Sequence, residues 1–253
     1  KKNNDNFYFK FIFDFEKLKI KIDEIKYEKP KNTFSKLNVE GNYKLNNEVY
    51  FKKINYEEDK NVILLNGLLI SKNDKIKNLD LLSLNYINKN KILNNIKFEK
   101  DQKNYLLSGS SFDGDEIVNN IINRKSNNSL VNLFYNFNSK IKININKFFI
   151  DKNHFIKNLN GIVGYKYNKI LFAELKGFTG TNKKLILNIK QNSNKEKVTN
   201  LFIDKPEAFL KKYKFIKGFE GGSLSFDSIE MNNKSVSKLK IYDFKVKEVP
   251  VLA

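Results

Sequence analysis

Few residues in this chain could carry out acid–base or nucleophilic chemistry. The 253 residues include one histidine, His154, and no cysteine. A Ser–His–Asp triad would therefore have to use His154, and a Cys–His pair is excluded. His154 follows Asp151 in a short polar stretch between two apolar runs, which is typical of an exposed turn. We therefore expect His154 to be dispensable and the protein not to be an enzyme.

A second candidate site is the acidic group that Asp113, Asp115 and Glu116 form around Gly114. These carboxylates could bind Ca²⁺, but a calcium loop needs further oxygen ligands at regular spacing. An apolar pattern of helical period follows at once, so we interpret the acids as capping residues of a helix over residues 113–124. The chain carries no phosphate-binding, zinc-protease or serine-hydrolase motif. We expect neither a cofactor nor a metal.

Most of the chain alternates apolar and polar residues, which is the pattern of half-buried β-strands. Strand-like runs recur about every ten residues without crossover helices between them, so we predict an all-β fold with mainly antiparallel strands. Helix should be confined to residues near 115–124 and 206–213. Turns are expected at residues 16–17, 41–42 and 46–47, and a strand is expected over residues 131–137.

Several of these runs place apolar residues on one face of the strand. Such a face must be covered by something. A second sheet would give a closed sandwich core, whereas a lipid acyl chain would give an open groove, and periodicity does not separate the two. The residues concerned are Phe9, Phe11, Phe13, Phe15, Ile141, Ile143, Ile145, Leu185, Leu187, Ile189, Leu224, Phe226, Leu239 and Ile241.

Lysine occupies many of the polar positions in these runs, and the net charge of the chain is +19. A solvated face that protects sheet edges explains this pattern, while attraction to anionic lipid headgroups or nucleic acid is the functional alternative. One rival function is therefore a basic β-rich module that binds a polyanion, either nucleic acid or an anionic glycan, through aromatics exposed beside lysine. Another is a glycan-handling β-solenoid or sandwich; an enzyme of this kind would bring two carboxylates together in one cleft, although no such pair stands out.

The C-terminal end of the chain has the pattern of a β-hairpin. Alternating runs follow Gly221–Gly222 and the polar turn at residues 232–234. The apolar positions change parity between Ile241 and Phe244, so we expect one extra residue, as a β-bulge or a break, at Tyr242–Asp243.

The same region resembles the AsmA-like proteins of Gram-negative bacteria. In that family a Gly-Gly strand precedes a final strand of the form DF-x-V-x-x-x-PVLA. The corresponding residues here are Gly221–Gly222, Asp243–Phe244, Val246 and Pro250–Ala253. Residues 201–213 are similar to the strand and short helix that come before this pattern in the family. Residues 109–114 resemble the sequence motif with which the region begins in α-proteobacterial relatives.

The resemblance implies an elongated, curved and twisted sheet whose apolar groove is lined by the stripe residues named above. Residues 1–108 would be a repeating segment of the groove, continuous with a C-terminal-type segment over residues 109–253. Such proteins are thought to carry phospholipids through the periplasm between the inner and outer membranes, which supports outer-membrane integrity. The implied partners are phospholipid, the inner membrane through an N-terminal anchor, and outer-membrane or other envelope proteins, with no nucleic acid.

Membrane attachment is inferred from that resemblance alone. The longest apolar run, Val62–Ile70, is interrupted by Asn66 and is far shorter than the ~20 residues that a spanning helix needs. We therefore expect the chain to be a fragment of a longer protein whose anchor lies elsewhere.

Overall fold

The chain forms one large, open, curved and mainly antiparallel β-sheet, which confirms the predicted all-β fold, and its described residues include two short α-helices. The computed structural model describes residues 6–44, 48–72, 75–123, 138–166, 169–180, 182–212, 219–232 and 234–246. Within these residues, fifteen strands belong to the large sheet and two form a small separate sheet. The strand expected over residues 131–137 and the turn expected at residues 46–47 lie outside the described residues.

The elements alternate strand and turn along almost the whole chain. The first ten strands are β1 (Asn6–Asp14), β2 (Ile20–Ile22), β3 (Tyr27–Lys29), β4 (Lys36–Lys44), β5 (Glu48–Glu58), β6 (Asn61–Ile70), β7 (Ile76–Asn78), β8 (Leu81–Ile87), β9 (Leu93–Asp101) and β10 (Asn104–Asp113). The remaining strands are β11 (Ser139–Phe149), β12 (Phe155–Lys166), β13 (Lys169–Thr179), β14 (Lys183–Gln191), β15 (Lys197–Asp204), β16 (Phe219–Met231) and β17 (Lys234–Val246).

Strand order in the large sheet follows chain order. The path runs β1-β4-β5-β6-β8-β9-β10-β11-β12-β13-β14-β15-β16-β17, with β7 paired beside β6. Each step along the path is antiparallel except the step from β10 to β11, which is parallel. A parallel step requires the chain to cross back to the starting end of the strand, and the connection that does so contains the first helix. Residue 108 lies inside β10, so the sheet is continuous across the boundary between residues 1–108 and 109–253.

The two short helices lie where the sequence pattern placed them. Helix α1 spans Asp115–Asn123, with two acidic residues in its first turn, and helix α2 spans Glu207–Lys212. A single turn of 3-10 helix at Asp23–Ile25 was not expected. The predicted turn at residues 16–17 is a bend between β1 and β2.

The turn predicted at Gly41–Asn42 is wrong, because both residues lie within β4. Gly41 pairs with Phe9 of β1, and the ladder to β5 is irregular beside it. A Cβ at Gly41 would lie 2.8 Å from the Cζ of Phe9 and 2.3 Å from the carbonyl oxygen of Tyr50. The glycine therefore permits close packing inside the sheet, which a sequence pattern does not distinguish from a turn.

Of the β-bulge or break expected at Tyr242–Asp243, the break is present, but no extra residue is inserted. Tyr242 pairs with Ser223 and Phe244 pairs with Gly221, so the register of β16 and β17 is the same on both sides. Asp243 has a φ of 53°, and Gly222 opposite it has a φ of 73°. Both strands therefore bend together, and the side-chain parity changes without an insertion.

Candidate functional site

One uninterrupted row of non-polar positions crosses the large sheet from edge to edge. Residues that lie opposite each other in neighbouring strands share a face of the sheet, so the paired positions trace the row from strand to strand. We call this set the central row. Its fourteen members, in strand order, are Phe11, Val39, Ile54, Leu65, Leu82, Phe98, Leu107, Ile143, Gly161, Leu175, Leu187, Leu201, Phe226 and Leu239.

The central row is accessible to solvent along its whole length. Phe11 at one edge is 49% exposed and Leu239 at the other is 46% exposed, and every member between them is half-buried. A sandwich would bury such a row beneath a second sheet. In the described part of the chain, the strands outside the large sheet are β2 and β3, and they pack against the neighbouring row instead. As far as the described residues show, the central row is thus a partly exposed apolar surface without a second sheet over it.

A second row lies two residues further along each strand, on the same face, and most of it is buried. We call it the second row. Its buried members are Tyr56, Ile63, Leu84, Ile96, Ile145, Leu159, Leu185, Ile203 and Leu224. These side chains form much of the hydrophobic core along one side of the central row. On its other side a smaller buried cluster of Leu68, Ile76 and Leu79 packs against Ile54, Leu65, Leu82 and Phe98 of the row.

The first cover over the second row is the segment of residues 16–35, which contains β2, the 3-10 turn and β3. Tyr27 is its centre, because the ring packs edge-on against Tyr56 and Tyr86 with centroid distances of 5.7 and 5.6 Å. The hydroxyls of Tyr27 and Tyr56 are hydrogen-bonded at 2.8 Å, and Tyr27 also bonds the buried carboxylate of Glu58. Burial in this cluster raises the pKa of Tyr27, so the phenol stays protonated as a donor.

The second cover is α2, which lies over the strands at the C-terminal end of the sheet. Phe209 packs against the cluster that contains Leu185 and Ile203, and the fully buried Leu210 packs on Leu224. The hydroxyl of Thr179 donates to the carbonyl of Asp204 at 2.6 Å just before the helix, which fixes its approach. Both covers leave the central row partly exposed, so the row lies between buried clusters and remains accessible to solvent itself.

The predicted stripe residues that lie in strands all belong to this one face. Phe11, Ile143, Leu187, Phe226 and Leu239 are in the central row; Phe13, Ile145, Leu185, Leu224 and Ile241 are in the second row; Phe9, Ile141 and Ile189 lie on the other side of the central row. Ile145, Leu185, Leu224 and Ile189 differ from the expectation of an open lining, because they are buried. The first three belong to the core clusters that flank the central row.

Phe15 lies just beyond β1 and continues a ladder of stacked phenylalanine rings. Successive ring centroids in the ladder Phe9, Phe11, Phe13 and Phe15 are 5.4, 6.0 and 5.9 Å apart. The ladder ends at a cleft of about 330 Å³, whose lining residues are Asp14, Phe15, Glu16, Lys17, Leu18 and Phe34. The β1 edge of the apolar face is therefore lined by aromatic rings, and the cleft lies at the Phe15 end of that line.

The acidic group at the start of α1 is part of a buried ion-pair network. Lys26 is 5% exposed, and its Nζ lies 2.7 Å from Oδ2 of Asp115 and 3.2 Å from Oδ1 of Asp113. Lys212, at the end of α2, pairs with the other oxygen of Asp115. The amides of Asn88 and Asn90 also donate to Asp113, at 2.7 and 3.2 Å. The network thus ties both covers to the end of β10.

These contacts agree with the capping interpretation and give the acids a structural role. The backbone N–H of Asp115 donates to the side chain of Asp113 at 3.2 Å. Burial alone would raise the pKa of Asp115, but hydrogen bonds from Lys212 and Lys26 outweigh it and hold that pKa below its usual range. A general acid of a glycosidase needs a raised pKa, so this shift is in the direction opposite to that role. Among the described residues, no cluster of three metal-ligating side chains occurs.

His154 lies in the polar turn that the sequence indicated. Its Nδ1 is 2.8 Å from Oδ2 of Asp151, and the backbone N–H groups of Asn153 and His154 donate to the same carboxylate at 2.7 and 2.8 Å. Asp151 therefore closes the turn between β11 and β12. The pair is half-exposed, and its geometry is fully explained by that turn.

The opposite face of the sheet is polar and basic. Lys142 and Asn144 point away from Ile143 and towards this face, as do Lys176 and Asn188 on later strands. Asn200 donates to Asp227 across the β15–β16 ladder at 2.6 Å. Within the described ranges, two lysines lie near aromatic rings, Lys140 at 6.0 Å from Phe172 and Lys147 at 5.6 Å from Phe155. The phenylalanine ladder of β1, by contrast, stacks mainly on itself.

Sequence reasoning missed nine members of the central row: Val39, Ile54, Leu65, Leu82, Phe98, Leu107, Gly161, Leu175 and Leu201. Alternation shows that each of them faces one side of its own strand, but strand pairing is needed to show that they share a side. Lys26 was missed for a different reason, since an isolated lysine between apolar residues gives no sign of burial. A left-handed conformation at Lys26, with a φ of 53°, places its side chain inward.

Comparison with known proteins gives no relative from which a function could be transferred. No family model matches the chain, and neither the curated proteins nor the solved structures include a significant match. Of the helices that the structure describes, none has the length and apolar character required to cross a bilayer. Functional inference therefore rests on the geometry of the apolar face and on the C-terminal sequence pattern.

Proposed function

We propose that this chain is a segment of a bridge-like protein that carries phospholipids through the periplasm between the inner and outer membranes. The observation that carries the proposal is the central row, which crosses all fourteen strands of the main path without a polar side chain. At about 4.8 Å per strand, thirteen steps make an apolar path of roughly 60 Å. The resemblance to AsmA-like proteins supports the same function, with an inner-membrane anchor elsewhere in the protein.

The proposed mechanism requires a surface and no catalytic group. An acyl chain that leaves a bilayer for water loses about 0.8 kcal/mol per CH₂. Contact with the central row replaces much of the lost bilayer contact, because the row continues from one strand to the next. The exposed surface of the row lets the headgroup stay in water, so its charge is not desolvated. The two covers keep the second row packed, which holds the strands in register beside the moving lipid. A gradient or a partner protein must supply direction.

A site-specific photo-crosslinker tests the proposal. Ile143 belongs to the central row, and Lys142 beside it belongs to the opposite face. A crosslinker at Ile143 should capture phospholipid in cells, and one at Lys142 should not. Because the two positions are adjacent in one strand, they share expression, folding and location, and differ in the face they present.

Equal capture at both positions would contradict the proposal, since it would indicate general contact with a membrane. Failure at Ile143 together with failure at Leu187, a second half-buried member of the row, would also contradict it. In that case strongly salt-dependent binding of an anionic polymer would favour the polyanion alternative.

A further inference from the structure

The polar face of the large sheet is strongly basic over four strands in its interior, β11 to β14. Side chains that alternate with the apolar rows point to this face, and the lysines among them are all exposed. Glu174 is the one acidic residue that the four strands contain. We call these lysines the basic patch. Its nine members are Lys140, Lys142, Lys147, Lys157, Lys166, Lys169, Lys176, Lys184 and Lys190.

The usual roles of exposed lysines do not explain this patch. Lysine protects the edge strands of a sheet from pairing with other chains, but all four strands have a paired neighbour on each side. Lysine also forms surface ion pairs, yet Lys142, Lys176 and Lys190 form none with the residues that the structure describes. The positive charge of the patch is therefore not compensated within the sheet.

Like charges also face each other directly across the strands of the patch. Lys147 of β11 pairs in register with Lys157 of β12, and Lys166 of β12 pairs with Lys169 of β13. Like charges at directly opposite positions destabilise a sheet. A bound anion would remove this repulsion, so the arrangement favours a negatively charged ligand.

Amide and aromatic side chains lie between the lysines. Asn144 and Asn188 are exposed on the same face, and their side chains form no hydrogen bond with the described residues. Each amide offers both donors and an acceptor. Phe178 lies in register between Lys157 and Lys184. The patch thus combines positive charge with groups that suit the hydroxyls and the C–H faces of sugar rings.

We propose that the basic patch binds an anionic polysaccharide. Three steps of about 4.8 Å between strands make a band roughly 15 Å wide, which one polymer chain can cover along the strand direction. The negative charges of the polymer would lie against the lysines, and its hydroxyls would exchange hydrogen bonds with the amides. The proposal goes beyond lipid transport and concerns the other face of the sheet.

The same features argue against two other anionic partners. Single-stranded nucleic acid stacks its bases on aromatic rings, but lysine Nζ atoms already lie over the rings of Phe172 and Phe155, at 6.0 and 5.6 Å from their centroids. An anionic membrane surface would engage the charges alone and would leave the amides of Asn144 and Asn188 without a role.

Binding of polygalacturonate to the full chain tests the proposal, with neutral dextran as the uncharged comparison. Polygalacturonate should bind at about 0.05 M salt and should be released at about 0.5 M, because salt screens the attraction, and dextran should not bind. Lys142→Gln/Lys176→Gln should weaken binding by about tenfold. Lys53→Gln/Lys97→Gln is the matched control, because it removes the same charge from exposed positions of the same face outside the patch.

Polyacrylate separates recognition of a sugar from attraction to charge, since it carries carboxylates without hydroxyls. Asn144→Ala/Asn188→Ala should weaken polygalacturonate binding by about fivefold, as expected for lost hydrogen bonds, and should leave polyacrylate binding unchanged. All of these positions are exposed, so the variants should fold, and circular dichroism checks that they do.

Absence of polygalacturonate binding at low salt would overturn the proposal. So would an equal loss of binding in the two lysine variants, or an asparagine variant that binds polygalacturonate as the wild type does. Tighter binding of a thymidine oligonucleotide or of phosphatidylglycerol vesicles would assign the patch to nucleic acid or to a membrane instead. These measurements use no lipid in the central row, so they do not depend on the outcome for lipid transport.

Discussion

Lys26 and Asp113 form a buried ion pair, with Nζ of Lys26 3.2 Å from Oδ1 of Asp113, although 87 residues separate them in the chain. Lys26 belongs to the cover made by residues 16–35, and Asp113 ends β10 in the middle of the large sheet. The pair therefore fixes the position of the cover along the sheet. Since Asp115 joins Lys26 to Lys212 of α2, both covers depend on the same few charges.

Replacing Lys26 by methionine should destabilise this region strongly. Lys26→Met keeps the length of the side chain but leaves Asp113 buried without its cationic partner, and breaking a buried pair in this way costs about 3–5 kcal/mol. Hydrogen exchange of the backbone amides in β3 and β10 measures the change in local opening free energy. Lys21→Met is the control, because the ion pair of Lys21 with Asp23 is exposed and should contribute nothing measurable. Equal effects of the two substitutions would contradict the assigned role of Lys26.

Acid should remove part of the stabilisation that Asp115 supplies. Its pKa is lower in the folded chain than in the unfolded chain, so its ionic contacts stabilise the fold above the ordinary aspartate pKa of about 3.9 and are lost as the pH falls through the folded value. The difference in urea midpoint between the wild type and Asp115→Asn should be constant from about pH 5 to about pH 8 and should shrink below about pH 4. A difference that grows in acid would contradict this assignment.

The alternating pattern predicted the apolar face because side chains in a strand point to opposite sides with period two. It identified residues such as Ile143, Leu187 and Phe226 without knowledge of the strand order. It did not distinguish the open Leu187 from the buried Leu185, since the two are equivalent in period and differ in whether α2 and its cluster cover them. Whether a residue of the row is covered depends on tertiary contacts with segments that are distant in the chain.

Unusual backbone conformations and close backbone contacts also limited what the sequence could predict about the fold. A turn was predicted at Gly41 because glycine is common in turns. Gly41 instead lies within a strand, where neighbouring atoms leave no room for a side chain. The parity change near Asp243 indicated an inserted residue, whereas a positive φ on both strands produces the same change without one. Lysine is normally a surface residue, but Lys26 is buried and has a left-handed backbone conformation. In each case one unusual dihedral or close contact decided the outcome.

Aspartate at Leu187 and at Leu185 should have different effects, although the residues are two positions apart on β14. Leu187 is half-buried in the central row, so Leu187→Asp should fold and should block lipid passage in cells. Leu185 is 5% exposed in the core, so Leu185→Asp would strand a charge away from water at a cost of several kcal/mol. Soluble yield and thermal melting measure folding, and lipid capture at Ile143 measures passage. If both variants unfold alike, the central row is part of a closed core.

Gly161, the one member of the central row without a side chain, should tolerate substitution by alanine poorly. Its φ is 145°, and a Cβ would lie 1.9 Å from the carbonyl oxygen of Glu174 on β13. Gly161→Ala should therefore destabilise the β12–β13 ladder by about 2 kcal/mol or more. Gly180→Ala is the matched control, since Gly180 also has a positive φ, of 57°, but a Cβ there meets no atom within 4 Å. It should cost about 1 kcal/mol. Hydrogen exchange in β12 and β13 gives both values.

His154→Ala should leave function unchanged while loosening its turn slightly. The histidine ring contacts Asp151, but the backbone N–H groups of Asn153 and His154 hold the same carboxylate and remain after the substitution. Complementation of a deletion strain measures function, and circular dichroism confirms folding. Loss of function in a folded variant would argue for a chemical role of His154 and against a purely surface-based mechanism.

The agreement between strand order and chain order makes the length of the sheet adjustable. Each strand on the main path contacts its neighbours, so the strands form a one-dimensional array in which any hairpin is supported mainly by the two strands beside it. Duplication of one hairpin would lengthen the array by about 10 Å and would restore the original strand direction at its end. Deletion of a hairpin would shorten it by the same amount. Such a scaffold can change its span in fixed increments during evolution wherever the altered hairpin is not one that the segment of residues 16–35 or α2 packs against.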